Sequence, residues 1–222
     1  MTAIDPHRNP LPIAAIAFAS LAIAGLYLPG AHGLYLACKP LATLAVIALA
    51  WRMADDGSGY RRAVLAGLWL SLLGDIALMW PERWFVAGLA SFLLAHLAYL
   101  QAYRRRARLF ALAWPFALYG VLAAGVFAIL WPHLPGELRV PVGVYVVALA
   151  AMAAQALVAW RVRRDPSTRL AAIGGACFLV SDAILAIDRF VQPFLAAPAL
   201  LLALYWAAQL LIASSVRTSP GR

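Results

Sequence analysis

Four ionisable side chains stand inside long apolar runs of this sequence: Lys39, Asp75, His96 and Asp182. A charge in hydrocarbon costs about 2.5–3.5 kcal/mol on insertion scales, so such positions stay apolar unless they do something. Two acids, an ammonium and an imidazole suit proton-transfer chemistry. Two carboxylates in one dry site cannot both ionise cheaply, so one keeps its proton and acts as an acid while the other serves as a base. Lys39 offers a cation that either holds one carboxylate ionised or binds an anionic group. Pro40 follows it, frees the carbonyl of Leu36 and bends the helix. A purely structural ion pair between Lys39 and Asp75 or Asp182 is the competing explanation. A hydrophobic replacement would join helices as well or better, which favours function.

The depths of these groups agree. Lys39, Asp75, Tyr145 and Asp182 are six or seven residues from His32, Glu82, Arg139 and Arg189 at the ends of their runs. At about 1.5 Å per residue all four lie about 9–11 Å below one boundary. His96 and Tyr205 fall near the midplane, and Gln209 deeper. Asp75 has the small neighbours Gly67, Ser71 and Gly74, and Asp182 has Gly174, Gly175 and Ser181. Small residues allow close helix approach, so the two carboxylates are expected to converge. His96, Tyr99, Tyr145, Ser181, Tyr205 and Gln209 are the candidate positioning residues. Asp188 lies about 240° around the helix from Asp182. It is expected to face elsewhere, as a rim partner of Arg189, Arg83 or Arg139. With one histidine inside the runs and no HxxxH-like spacing, no metal site is expected, and no cofactor. Cys38 and Cys177 both lie in apolar runs and give no disulfide framework.

The elements that must hold these groups are membrane helices. The chain has 222 residues, of which 65% are hydrophobic and 12% charged, with a mean hydropathy of +0.84. A water-soluble globule of this size cannot hide that much apolar surface, which excludes a soluble enzyme, a disordered chain and a nucleic-acid-binding domain. Eight runs are long enough to cross a bilayer, at 11–28, 34–51, 64–80, 84–103, 109–131, 140–160, 170–190 and 194–216. None alternates like a membrane β-strand, so the expected fold is all-α, one transmembrane domain over residues 1–222 with eight spanning helices. Trp51, Trp80, Trp84, Tyr103, Trp131 and Trp160 mark run ends as an interfacial belt. The first run has a poor signal-peptide flank and is expected to be a retained helix.

The net charge of +9 is a topology signal. With the amino terminus inside, 14 arginines fall on the inner side and three, Arg83, Arg139 and Arg189, on the outer. This split predicts cytoplasmic termini and requires an even helix count. A shift of 107 residues places Arg62, Gly67, Leu72, Asp75 and Leu78 on Arg169, Gly174, Leu179, Asp182 and Leu185, as in a parallel 4+4 repeat. Ala/Arg-rich usage points to a bacterial inner (plasma) membrane.

The stretches LAGLWLSLLGDIALM, ASFLLAHLAYLQAY, GGACFLVSDAILAIDRF and LYWAAQLLIASS, with Lys39-Pro40 and Tyr145 with Met152, resemble the YhhN-type lysoplasmalogenases in consistent order from Lys39 to Ser215. The resemblance implies eight transmembrane helices and hydrolysis of the vinyl ether bond of a lysophospholipid, lysoplasmalogen. The products would be a fatty aldehyde and a glycerophospho-ethanolamine or -choline. It also implies that Asp75 and Asp182, in the GD and SD motifs, form the catalytic pair. Asp188 departs from the family pattern, which has Asn there. A vinyl ether is cleaved by acid at carbon, which the carboxylates could supply as in glycoside hydrolysis. Two other classes stay open. Membrane carboxylates beside a Pro-broken helix also suit a small-molecule or proton-coupled transporter. A metal-dependent membrane hydrolase is disfavoured by the histidine count.

Overall fold

The computed structural model describes residues 10–54 and 57–216. Eight α-helices account for most of them: α1 (Leu11–Tyr27), α2 (His32–Arg52), α3 (Tyr60–Ala77), α4 (Pro81–Arg104), α5 (Trp114–Leu130), α6 (Gly136–Arg163), α7 (Pro166–Phe190) and α8 (Ala197–Ser214). There is no strand among the described residues. Six helices, α2 and α4 to α8, are long and apolar enough to cross a membrane. Helix α1 has 17 residues, and α3 has 18 and carries Arg61, Arg62 and Asp75.

Each apolar run has become a helix, and proline explains most of the shifted ends. A proline ring clashes with the carbonyl four residues back, so it is best tolerated in a helix's first turn. Pro115 therefore starts α5 at Trp114 rather than at 109, and residues 109–113 form turns and bends. Pro198 likewise starts α8 at Ala197 instead of 194. Pro81 opens α4 three residues early, so α3 ends at Ala77 and not at 80. Helix α6 begins at Gly136, which puts Pro141 inside it alongside Pro40 in α2.

Packing follows a ring. Helices α2, α3, α4, α6, α7 and α8 contact one another in that order, and α8 returns to α2. Helix α1 lies outside the ring on α2 and α8, and α5 lies outside on α6. The outer helices are apolar on every side, which matches their exposed Ile13, Ile16, Val121 and Ile129. Inside the ring, α3 and α7 stand on opposite arcs.

The Arg-rich end of α7 has a side-chain cap. Asp165 at the N-cap accepts the Thr168 backbone N–H at 2.8 Å and the Arg163 Nε–H at 2.9 Å. Partial burial raises its pKa, but the Thr168 N–H and the Arg163 guanidinium outweigh that and hold it below the usual carboxylate value. A depressed folded-state pKa adds stability above the unfolded value and loses it as pH falls through the folded one. Asp165→Ala is therefore expected to cost about 1 kcal/mol at neutral pH, the usual scale for a lost N-cap. The deficit should shrink in thermal melts taken below about pH 4. A deficit unchanged by acid would remove the electrostatic part of this account.

Candidate functional site

A cavity of about 540 Å³, within the range of small-ligand pockets, opens inside the ring and extends between its helices to α1 and α5. Its walls are largely apolar, with Leu78, Leu89, Phe92, Leu130 and Val142 among them. Lys39, Asp75, Tyr145, Asp182 and Tyr205 line it. The four groups expected in one layer thus share one cavity, joined by Tyr205. Toward the end opposite the Arg-rich connections, Pro81, Asp188, Arg189 and Pro193 complete the lining.

Asp75 is 2% exposed. Its Oδ2 accepts the Thr43 hydroxyl at 2.7 Å and the Tyr205 hydroxyl at 2.6 Å. The Lys39 ammonium lies 3.9 Å from Oδ1 and also donates to the Tyr35 hydroxyl at 3.3 Å. Behind Tyr205 runs a relay of fixed polarity. Tyr99 donates to Gln209 Oε1 at 2.8 Å, Gln209 Nε2 donates to the Tyr205 hydroxyl at 3.1 Å, and Tyr205 donates to Asp75. Ser71 lies 3.3 Å from the Tyr99 hydroxyl. Every donor in this chain points toward Asp75.

Asp182 has different company. The Tyr145 hydroxyl donates to its Oδ2 in a short hydrogen bond. His96 Nε2 lies 3.0 Å from the Tyr145 hydroxyl and 3.6 Å from Asp182 Oδ2. The imidazole is fully buried, edge-on to the rings of Tyr145 and Phe178. Its Nδ1 has no hydrogen-bond partner among the described residues. Because the Tyr145 hydroxyl donates to Asp182, its oxygen is left to accept from His96 Nε2–H. Asp75 has a lysine ammonium and two hydroxyl donors, whereas Asp182 has one hydroxyl donor and an imidazole at 3.6 Å.

Several expectations need correction. The small residues do not bring α3 against α7. A Cβ on Gly67 would lie 2.3 Å from the Tyr99 ring and one on Gly74 2.6 Å from the Phe92 ring, both on α4. Gly174 closes against Ile212 and Ala208 of α8, and Gly175 against Ala153 of α6. The glycines seat each Asp-bearing helix on its neighbours, and the carboxylates face a shared cavity without helix contact. Ser181 does line the cavity beside Asp182, and its hydroxyl donates to the Leu201 carbonyl at 2.8 Å, which ties α7 to α8. Tyr99, His96 and Gln209 stand behind the cavity wall and act through Tyr205 or Tyr145. Asp188 is not an arginine partner among the described residues. Its Oδ1 accepts the Phe194 N–H at 3.1 Å, and its side chain reaches the cavity. The three outer arginines lie over aromatic rings instead: Arg83 on Trp84, Arg139 on Trp131 and Arg189 on Phe85. Thr43 and Tyr35 were missed. Both stand four residues from Lys39, where helical neighbours of a buried charge are found. Among the described residues no three His, Cys, Asp or Glu side chains cluster as metal ligands.

A family model for YhhN matches residues 34–216. The chain belongs to the YhhN family. Among its curated relatives, the YhhN protein described here is 36% identical over 195 residues to the lysoplasmalogenase TMEM86B of Sus scrofa, covering 86% of this chain and 78% of that one. It is 38% identical over 185 residues to a lysoplasmalogenase of Mycobacterium bovis, covering 77% of this chain and 66% of that one. The human lysoplasmalogenase TMEM86B is 34% identical over 184 residues, with coverage of 82% and 75%. No solved structure matches this YhhN chain.

Proposed function

We propose that this YhhN protein is a membrane-embedded lysoplasmalogenase, an enzyme that hydrolyses the vinyl ether bond of lysoplasmalogen by acid–base catalysis between Asp182 and Asp75. The relatives' shared name supports the activity. The observation that carries the mechanism is the unequal setting of two carboxylates on one apolar cavity. Asp75, with Lys39, Thr43 and Tyr205 around it, is the carboxylate. Asp182, with Oδ2 occupied by the Tyr145 hydroxyl, carries its proton on Oδ1 and is the acid.

Asp182 gives that proton to the β-carbon of the vinyl ether, and the ether oxygen's electron pair forms an oxocarbenium ion. The Asp75 carboxylate stabilises the cation, then takes a proton from the water that adds to its carbon. The resulting hemiacetal moves its hydroxyl proton to the glyceryl oxygen and splits into a fatty aldehyde and the glycerophospho-ethanolamine or -choline. Water in the cavity returns the proton from Asp75 to Asp182. One water is consumed and no group is oxidised or reduced.

The same reading sets eight spans in a bacterial inner membrane, with the Arg-rich helix ends, including the start of α1 and the end of α8, on the cytoplasmic face. The 14-to-3 arginine division supports it. A parallel 4+4 duplication accounts for the ring. Exchanging α1–α4 with α5–α8 turns the α4·α6 seam into the α8·α2 seam, and both are packed. It also exchanges the helices that serve each carboxylate: α2 and α8 for Asp75, α6 and α4 for Asp182.

Purified protein incubated with lysoplasmalogen should release fatty aldehyde, measured by mass spectrometry after trapping. Binding without aldehyde would return the chain to the transporter reading.

A further inference from the structure

The cavity has a second polar end that the reaction above does not use. Asp188 and Arg189 lie where α7 finishes, and both line it. Arg189 is exposed. Its guanidinium lies 4.1 Å from the centre of the Phe85 ring and 5.8 Å from that of Phe190. Among the described residues Arg189 has no ion pair and no hydrogen bond, although Asp188 is its chain neighbour. The Asp188 carboxylate spends Oδ1 on the Phe194 N–H and leaves Oδ2 without a partner among the described residues. A cation and an anion thus stand side by side at the rim of an apolar cavity, held apart from one another.

Resting on the lysoplasmalogenase reading, we propose that Arg189 and Asp188 form the subsite for a zwitterionic phosphate headgroup, Arg189 taking the phosphate and Asp188 the ammonium. Spacing supports this. Arg189 is seven residues past Asp182, two helical turns further along the same face of α7 and about 10 Å away in rise. In the lipid, five bonds separate the vinyl ether oxygen from phosphorus, an extended reach of about 6 Å. The arginine side chain covers the rest. The planar guanidinium matches phosphate oxygens in paired hydrogen bonds, and stacking on Phe85 pre-orients it. Lys39 is the other cation on the cavity, but it is 5% exposed and lies beside Asp75. It serves that carboxylate, and the phosphate goes to the rim. With the headgroup there and the vinyl ether beside Asp182, the alkenyl chain runs along the apolar wall of Ala123, Val126, Leu149 and Leu179 toward α5.

The test uses saturated ether lipids that cannot be cleaved, so it reads binding independently of the reaction. The purified full chain in detergent is titrated with 1-O-alkyl-glycerophosphoethanolamine, with the 1-O-alkyl-glycerophosphate that lacks the amine, and with 1-O-alkylglycerol that lacks the headgroup. The parent protein should bind the first at least about tenfold more tightly than the third. Arg189→Gln should erase that preference while its affinity for alkylglycerol stays within about twofold, and Arg189→Lys should restore part of it. Asp188→Asn should remove the preference for phosphoethanolamine over bare phosphate. Inorganic phosphate should not displace the lipid at equal concentration. Equal weakening of all three lipids by Arg189→Gln, no weakening of any, or displacement by free phosphate would overturn the proposal. A parent that binds with the expected preference yet releases no aldehyde from lysoplasmalogen would sink the hydrolase reading and leave the headgroup subsite standing.

Discussion

Asp182→Asn is expected to suppress aldehyde release without unfolding the protein. The amide keeps the volume and still accepts the Tyr145 hydroxyl, but has no proton acidic enough to protonate carbon. Loss of one acid–base group lowers turnover by about 10²–10⁴-fold, and the melting temperature should stay near that of the parent, since the Tyr145 hydroxyl keeps its acceptor. Asp75→Asn should lower turnover by a similar factor but differ in stability. It strands the buried Lys39 ammonium, and removing one partner of a buried pair costs about 3–5 kcal/mol. Adding Lys39→Met to Asp75→Asn should recover much of that stability and none of the activity. The double Asp variant should be hardly slower than either single one, because acid and base act as a unit. Near-parental turnover in well-folded Asp182→Asn would dismiss it as the acid. A stable Asp75→Asn protein that needs no second change would show that Lys39 is not held by that carboxylate.

Gly67→Leu is expected to be the most damaging single change among the glycines. Even a Cβ there would lie 2.3 Å from the Tyr99 ring, and Tyr99 has nowhere to go: it is fully buried and donates to Gln209. Overpacking costs about 1–3 kcal/mol, occasionally more. Displacing Tyr99 also breaks the relay that ends on Asp75. The variant should lose folded yield in detergent, and whatever folds should turn over slowly. Gly125→Leu is the comparison, since nothing lies within 4 Å of a Cβ on that outer helix. Equal yields for the two would mean that the α3–α4 contact tolerates a shift.

The eight elements were legible because hydrocarbon demands long apolar helices, but their ends moved where a proline set the start of a helix. That Lys39, Asp75, Tyr145 and Asp182 meet at one cavity was legible because position along a helix is a matter of counting. Rotation about the axis and choice of neighbour were not. Gly67 and Gly74 announce close packing but do not say against which helix, and α4 rather than α7 fills the space. Asp188 was sent to the surface by its helical angle, yet the turn after α7 brings the Phe194 N–H to it and the cavity rim reaches it. Thr43 passed unnoticed because a lone threonine in an apolar run is ordinarily content with its own backbone. Ser181 lines the cavity as expected, but its hydroxyl is spent on the Leu201 carbonyl, a partner that counting along one helix does not reveal.

The central claim is that the vinyl ether is protonated at carbon and opened by water at the carbon it leaves as aldehyde. The most direct measurement is turnover of lysoplasmalogen by the purified protein in D₂O and, separately, in H₂¹⁸O, with mass spectrometry of both products. The account predicts one deuterium on the carbon next to the aldehyde carbonyl and a glycerophospho product that retains its original oxygen, free of ¹⁸O. An aldehyde without solvent deuterium, or ¹⁸O in the glyceryl hydroxyl, would place the proton or the bond cleavage elsewhere and contradict it.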